Sequence, residues 1–259
     1  MRIEIDVLLD YNIPEQHDVL LQIEAAAMPD QKIITSSLTV TSPDPLRAVP
    51  GDDDIGQRTW ANGVGQFRVE YSATVETERP LISFETLGED APRGMPAHVT
   101  PYLMPSRFCE SDEFSSFVAR EFGDLWGGKK VIAMRDWINR NVNYVIGSSI
   151  GSTTAGATFI RREGVCRDFA QLLATFARAA NIPARLVGAY APGVDPPDFH
   201  AVVEVWLDGD WHLLDATAMA TQDEIVRIVV GRDATDIAFM TVFGSAMLFN
   251  QTVNVRRGS

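Results

Sequence analysis

The first hundred residues alternate apolar and polar side chains with a period of two. Residues 3–7 show the pattern, and residues 67–75 continue it over nine positions. Such alternation predicts half-buried strands, and residues 19–23 and 33–40 are two further runs of strand-forming side chains. Turn residues separate the runs at Asn12-Ile13-Pro14, Met28-Pro29-Asp30 and Ser42-Pro43-Asp44-Pro45. This region is therefore expected to form short antiparallel strands arranged like a sandwich.

The pattern becomes helical after a Pro- and Gly-rich stretch at residues 88–105. Residues 129–144 place apolar side chains three and four apart, which predicts an amphipathic helix. Further helices are expected at 113–122 and 166–180. Strands are expected at 184–190, 200–207 and 210–214, followed by an extended apolar tail at 241–256.

The composition fits a globular protein that can bury a core, because 46% of the 259 residues are hydrophobic and 22% are charged. No run of eighteen apolar residues occurs, so no spanning helix is expected. The start, Met1-Arg2-Ile3-Glu4-Ile5-Asp6, places acids where a signal peptide needs an apolar segment. Two cysteines are too few for a disulfide framework or a four-cysteine metal site. A reducing, cytoplasmic location is the resulting expectation.

The net charge of −13 is concentrated in the first hundred residues, which carry 7 basic and 17 acidic side chains. An acidic chain without a basic cluster is not expected to bind nucleic acid or an anionic membrane. Solubility is the first interpretation of this acidity, and docking of a basic partner on residues 1–100 is the second. Residues 50–56 hold three acids but lack the EF-hand spacing and its closing glutamate, so a solvated turn is predicted. No metal or organic cofactor is expected.

Cys166 is the most informative residue for chemistry. It lies where a loop meets a predicted helix, in Gly164-Val165-Cys166-Arg167-Asp168-Phe169-Ala170. The positive end of the helix dipole favours a thiolate over a thiol, and a thiolate is the nucleophile of cysteine catalysis. A buried structural cysteine is the alternative that position alone leaves open.

The register of a predicted hairpin identifies two more candidate catalytic residues, His200 and Asp215. Asp208-Gly209 is a strong two-residue turn signal, and it pairs Leu207 with Asp210. Val202 then lies opposite Asp215, and His200 shares a face with Val202. Asp215 becomes a diagonal neighbour of His200, at about 7–8 Å between backbones, which two polar side chains can bridge. A slip of one residue would place them on opposite faces.

The remaining histidines and the second cysteine have weaker claims. His212 pairs with Val205 on the opposite face, which favours packing. His17 and His98 have no evident partner in the sequence. Cys109 has an acidic neighbour, which would raise the pKa of its thiol, and it is interpreted as structural.

Four segments together resemble the bacterial transglutaminase-like superfamily, and they occur in the order found there. They are Gly164-Val165-Cys166-Arg167-Asp168-Phe169-Ala170, Ile182-Pro183-Ala184-Arg185-Leu186-Val187, Phe199-His200-Ala201-Val202-Val203-Glu204-Val205-Trp206 and Trp211-His212-Leu213-Leu214-Asp215-Ala216-Thr217. The front part resembles the β-rich N-terminal region of these proteins at Asp54-Ile55-Gly56-Gln57-Arg58 and Phe67-Arg68-Val69-Glu70-Tyr71. The resemblance implies a papain-like core with Cys166 as nucleophile, His200 as base and Asp215 as orienter. Ala216-Thr217 stands where Pro-Thr is more usual.

The resemblance also implies an oxyanion hole. The Cys166 backbone N–H is one natural donor, and Asn143, Tyr144 and Tyr190 are open candidates for the second. Asp168, in the first helical turn, is interpreted as favouring the helix dipole. Trp206 and Trp211 are expected to pair across the hairpin near the site, as wall or core packing.

We therefore expect an α+β protein with a β-sandwich-like N-terminal domain (residues 1–100) and a transglutaminase-like catalytic core (residues 101–259). The expected function is a cysteine-dependent amide hydrolase or acyltransferase, a cysteine protease in the first instance, with a peptide or protein amide as substrate. Cross-linking is less favoured, because no calcium site is evident in the sequence. The alternative is a protein-binding or scaffold module that keeps the fold without turnover.

Overall fold

The computed structural model describes residues 1–258. The strands are Arg2–Leu21 (β1), Gln31–Val40 (β2), Arg47–Pro50 (β3), Gln57–Thr77 (β4), Asn143–Tyr144 (β5), Glu163–Gly164 (β6), Ala184–Tyr190 (β7), His200–Leu207 (β8), Asp210–Leu214 (β9), Val226–Gly231 (β10), Met240–Val242 (β11) and Met247–Arg257 (β12). The helices are Ser115–Phe122 (α1), Gly127–Asn141 (α2), Ala155–Arg161 (α3) and Cys166–Ala179 (α4). Helices packed on antiparallel sheets confirm the predicted α+β class.

The first sheet is built on two long strands, β1 and β4, which pair antiparallel. Their residues alternate between a buried face and a more exposed one, as the period-two pattern predicts. β2 and β3 pair with β4, while β11 and β12 pair with β1. All six strands are hydrogen-bonded into one sheet. The short strands of a sandwich with two facing sheets are therefore replaced by one continuous sheet.

The turn predicted at Asn12-Ile13-Pro14 lies inside β1. The pairing of β1 with β4 shifts register between Ile13 and His17, so this segment is an irregularity within one long strand. Proline is tolerated at such a bulge because it has no N–H to give to the ladder. The predicted turn between two strands is therefore wrong, because the strand continues beyond the irregularity.

The end of the chain returns to the first sheet. The predicted extended tail is confirmed as β11 and β12, which lie along β1. Residues 240–257 therefore belong to the same sheet as residues 2–77, although the predicted core included them. The division near residue 100 stays a prediction, with these two strands as an exception to it.

The second sheet has the order β10-β7-β8-β9 and packs against α4. Every residue of β7 and β8 is buried, because one face meets α4 and the other meets residues from the first part of the chain. Leu172, Leu173 and Phe176 form the buried face of α4, as its spacing predicts. This packing fixes the N-terminus of α4 beside the start of β8.

The two sheets share one hydrophobic core. Tyr71 of β4 and Tyr190 of β7 stack with their ring centroids 6.4 Å apart. The Tyr190 hydroxyl donates to the Ile23 carbonyl at 2.7 Å, and the Tyr71 hydroxyl accepts from the Ala25 N–H at 2.9 Å. No helix within residues 1–258 is long and apolar enough to cross a membrane.

Candidate active site

Cys166 is the first residue of α4 and is partly exposed. Its thiol lies 3.9 Å from the carbonyl oxygen of Phe199, the residue before His200. The backbone N–H groups of the first helical turn point toward the thiol side, where the helix dipole favours negative charge. The predicted loop-to-helix position is confirmed.

The predicted hairpin register is confirmed, residue for residue. Leu207 pairs with Asp210 and Val203 with Leu214. Asp208 and Gly209 have φ values of 50° and 76°, which the tight turn requires at both positions. Asp215 directly follows β9, and its Oδ2 lies 3.0 Å from His200 Nε2.

Asp215 is held by the segment that follows it. Its Oδ1 accepts hydrogen bonds from the Thr217 N–H and the Thr217 hydroxyl, both at 2.8 Å. Its Oδ2 accepts from the N–H groups of Met219 and Ala220 at 3.0 and 2.9 Å. Burial raises the pKa of this carboxyl, but the bond to His200 and the Thr217 donors outweigh it, so the pKa lies below its usual range. A carboxylate fixed in this way can orient an imidazole without taking its proton.

His200 is buried and directs its second nitrogen toward the thiol. Its Nδ1 has no hydrogen-bond partner within residues 1–258. Burial lowers the pKa of the ring, but the hydrogen bond to Asp215 and the proximity of the Cys166 thiol outweigh it and raise the pKa to about 10. The geometry therefore favours an imidazolium with Asp215 on one nitrogen and Cys166 on the other.

This arrangement predicts how stability depends on pH. The pKa of His200 is raised on folding, so above about 6.5 the unfolded chain loses a proton that the folded chain keeps. The free energy of unfolding is therefore expected to fall from pH 6.5 toward 10. Urea unfolding of wild type and His200→Gln across this range checks it, since the difference between them should shrink as pH rises. A constant difference would contradict the linkage.

Tyr144 is the oxyanion candidate that the structure brings to the thiol. The short parallel pair β5–β6 places Tyr144 opposite Gly164, two residues before Cys166. Burial, together with the nearby thiol, raises the pKa of the phenol to about 12, so the hydroxyl keeps its proton. Tyr190 is fully buried and donates to Ile23, away from the site. Asn143 is exposed and does not line the cavity beside Cys166.

Asp168 and Arg167 fasten a loop beside the nucleophile. Asp168 accepts from the Val165 N–H at 2.8 Å and from the Ser149 hydroxyl at 2.9 Å. Arg167 donates to the same hydroxyl at 2.6 Å and to the Ile150 carbonyl at 3.1 Å. A Cβ on Gly164 would approach the Asp168 Cβ to 2.7 Å, so only glycine permits this closeness. Asp168 lies in the first helical turn, where its interaction with the helix dipole was predicted, and it also caps the helix and secures the loop at Ser149.

Removing this anchor should loosen the loop. Asp168→Ala leaves the Val165 N–H and the Ser149 hydroxyl without their acceptor, at a cost of about 1–3 kcal/mol in the free energy of unfolding. Ser149→Ala, which removes one of the bonds, should cost about 0.5–1.5 kcal/mol. Urea unfolding measures both, and proteolysis should cut Asp168→Ala faster within residues 147–157. An Asp168→Ala protein that unfolds like wild type would contradict the role.

A cavity of about 520 Å³ lies beside Cys166 and His200. Most of its walls come from the start of α4, β7 and β10, the loop before β8, and the segment leading into β11, and Gln22, Arg107, Phe108 and residues of the 144–151 segment complete them. Phe199 and Phe239 stack at its side with ring centroids 4.3 Å apart. The cavity can therefore receive part of a substrate directly at the thiol.

The other sequence candidates lie outside this site. His212 pairs with Val205 and bonds to the Leu207 carbonyl at 2.9 Å, which confirms the packing interpretation. Cys109 is fully buried, and this burial raises the pKa of its thiol to about 11. The sequence had predicted a raised pKa from its acidic neighbour instead. Trp206 and Trp211 do pair, at 5.3 Å, but they do not line the cavity. Trp206 is six residues from His200 along β8, or about 20 Å, so the expected position near the site was wrong.

A buried charge network behind the second sheet has no local signal in the sequence. Glu204 is fully buried and accepts from Arg185 and Arg227, each at 2.7 Å. Arg185 also meets Asp53 at 2.9 Å, and Arg227 meets Asp30. The acidic turn at residues 50–56 is exposed at Asp53 and Asp54, and the ion pair of Asp53 with Arg185 also anchors it to the second sheet.

Comparison with known proteins agrees with this fold. The model of the transglutaminase-like superfamily matches residues 117–216. A crystal structure of a candidate cysteine protease from Cytophaga hutchinsonii superposes with a TM-score of 0.93 and 33% identity, covering 99% of this chain and 90% of that one. The chain belongs to the transglutaminase-like superfamily.

A more distant relative is the uncharacterized protein ML0607 of Mycobacterium leprae. It is 26% identical over 185 residues, which cover 67% of this chain and 66% of that protein. The match thus spans about two thirds of the length of that relative. The predicted family is confirmed. Residues 117–216, which the superfamily model matches, include Cys166, His200 and Asp215.

Proposed function

We propose that the protein is a cysteine-dependent amide hydrolase or acyltransferase, with Cys166 as nucleophile, His200 as base and Asp215 as orienter. One observation carries the proposal: His200 is held by Asp215 at 3.0 Å through Nε2 while its buried Nδ1 is left for the thiol at the start of α4. The similarity to a candidate cysteine protease along nearly the whole chain supports hydrolysis.

In the first step the Cys166 thiolate attacks the carbonyl carbon of an amide, and a C–S bond forms. The His200 imidazolium then gives its proton to the amide nitrogen as the C–N bond breaks, which leaves a thioester and a free amine. In the second step water attacks the thioester and gives a proton to His200. The C–S bond breaks, and a carboxylic acid and the thiolate–imidazolium pair result. An amine in place of water would give a new amide.

The developing oxyanion needs donors beside the thiol. We assign this role to the Cys166 backbone N–H and to the Tyr144 hydroxyl, which the β5–β6 pair holds beside Gly164. Residues 101–239 supply these groups, and residues 1–100 support them from behind.

Both cysteines are free thiols, which is consistent with work in a reducing, cytoplasmic compartment.

A peptide mixture in ¹⁸O-labelled water tests the proposal. Wild type should create new peptide C-termini that contain ¹⁸O, because water closes the catalytic cycle, and Cys166→Ala should create none. Added hydroxylamine should divert part of the product to hydroxamates. If Cys166 reacts rapidly with electrophiles but no new termini or hydroxamates form, the proposed turnover is wrong.

A further inference from the structure

Part of the lining of the cavity beside Cys166 is buried and apolar, and we call this part its floor. Ala189, Ile228 and Ile237 form its floor and are buried in the protein. Gln22 also lines the cavity, but its side-chain N–H groups already donate to the Asp236 and Ala238 carbonyls at 3.1 and 2.8 Å. Charged side chains of the lining other than His200 are Arg107, Arg167 and Asp198.

A bulge in β10 turns an extra apolar side chain toward this floor. Arg227 pairs with Ala189 and Val229 with Gly188, so Ile228 has no partner of its own. Ile228 and Val229 both join the main core, although successive residues of a regular strand face opposite sides. Bulges commonly re-aim a side chain next to an active site. Here the bulge adds Ile228 to the cavity wall.

The aromatic side of the cavity is fixed in place. Phe239 stacks on Phe199, and the Phe239 carbonyl accepts from the Gln22 N–H at 2.8 Å. With the two bonds from the Gln22 side chain, residues 236–239 are tied to the end of β1. A rigid wall of this kind selects by shape and polarity, because it cannot adapt to an unsuitable side chain.

Exposed apolar side chains continue outward from the cavity. Met240 and Thr241 are the last cavity residues before β12. The segment that follows contacts the cavity again at Gln251, whose side chain donates to the cavity residue Asp198 at 2.7 Å. Between these points the large side chains Phe243, Met247, Leu248 and Phe249 are more than half exposed. Exposed apolar side chains in a segment that starts and ends at cavity residues suit a polypeptide better than a small amide.

We propose that the substrate is a polypeptide with a large apolar side chain on the acyl side of the scissile amide, seated against Ile228, Ile237 and Phe239. The inference rests on the proposed function and names the substrate class of that site. The acyl half stays on Cys166 through both steps, so a pocket that holds it stabilises both transition states. A polar glutamine side chain, by contrast, would lose its hydrogen bonds to water against the apolar side chains of Ala189, Ile228 and Ile237.

Dipeptidyl chloromethyl ketones test the inference, because Cys166 Sγ displaces chloride from the probe and the adduct is read by intact mass. The panel varies the residue next to the ketone, or the one before it, among Phe, Leu, Gln, Asp and Gly, with Gly at the other position. At one of the two positions, Phe or Leu should label at least about tenfold faster than Gln or Asp. Phe239→Ala should reduce that ratio several-fold, and Ile160→Ala, on the exposed face of α3, should not.

Iodoacetamide labelling at pH 6 distinguishes failure of the apolar substrate class from failure of the proposed function, because the reagent needs a reactive thiol and does not need the pocket. Rapid iodoacetamide labelling with equal probe rates, or with Gln fastest, overturns the apolar substrate class and leaves the proposed function standing. Slow iodoacetamide labelling that His200→Ala does not change overturns the proposed function. If Phe239→Ala does not fold, the wild-type panel and Ile237→Val decide.

Discussion

Cys166→Ala is expected to lower the rate of peptide amide cleavage by about 10⁴-fold or more, because the nucleophile and the thioester are lost together. The fold should survive, since the side chain is partly exposed at the start of a well-packed helix. Cleavage of the best chromogenic or labelled peptide, followed by mass spectrometry, gives the rate. The variant should still bind that peptide with about the wild-type affinity.

Cys109→Ala is the matched control for this substitution. Cys109 is the second cysteine, fully buried and away from the cavity. Its variant should cleave within about twofold of wild type, because an alanine fills most of the site without adding a polar group. Residual cleavage above a few per cent in Cys166→Ala, with Cys109→Ala as active as wild type, would contradict the assignment of the nucleophile.

Glu204→Ala is expected to have the largest effect on stability, about 3–5 kcal/mol in the free energy of unfolding. The substitution leaves the guanidinium groups of Arg185 and Arg227 buried without the carboxylate between them. Those two groups hold the pKa of Glu204 below its usual range in spite of burial, so the carboxylate is charged in the folded protein. Thermal unfolding should occur roughly 6–20 °C lower.

An exposed ion pair provides the control for Glu204. Glu70 meets Arg68 at 2.6 Å, but both side chains are about half exposed. Glu70→Ala should change the free energy of unfolding by less than about 1 kcal/mol. Equal losses for Glu204→Ala and Glu70→Ala would show that the buried network does not hold the second sheet to the first part of the chain.

The scaffold alternative makes a different prediction for the same variants. A protein that only binds would keep its partner in Cys166→Ala and would lose it when the acidic first sheet is altered. The structure gives the segment after β1 a supporting role, since Gln22 donates to the Ala238 carbonyl of the cavity and Ile23 accepts from Tyr190, which packs on Phe199. Turnover by wild type, absent in Cys166→Ala, decides between the two.

The candidate site was predictable because its determinants are local. An Asp-Gly turn fixes the register of one hairpin, and a period-two strand then places His200 and Asp215 on one side. The helix that begins at Cys166 is equally visible in its amphipathic spacing. What the register could not supply is the hydrogen bonding of Asp215 by Met219 and Ala220, because that depends on how the chain leaves β9.

The missed features involve partners far apart in the chain. Gln22 bonds to residues 236–239, and β12 pairs with β1. No local sequence pattern predicts either contact. Glu204 is an isolated acid in an apolar strand until Arg227 is brought beside it. The bulge at Ile228 depends on the match between β7 and β10. The turn predicted at Pro14 is wrong for the opposite reason, because this local turn signal lies inside a long strand whose pairing with β4 continues beyond it.

The pH dependence of Cys166 alkylation tests the central claim most directly. Iodoacetamide labelling is followed by intact mass between pH 5 and 10 in Cys109→Ala, with and without His200→Ala. With His200 present, labelling should be rapid well below pH 8.5, the pKa of an ordinary cysteine, and nearly constant above that point. Without His200, labelling at pH 6 should fall at least about tenfold and rise only as the pH approaches 8.5. Identical profiles that both rise near pH 8.5 would contradict a thiolate–imidazolium pair.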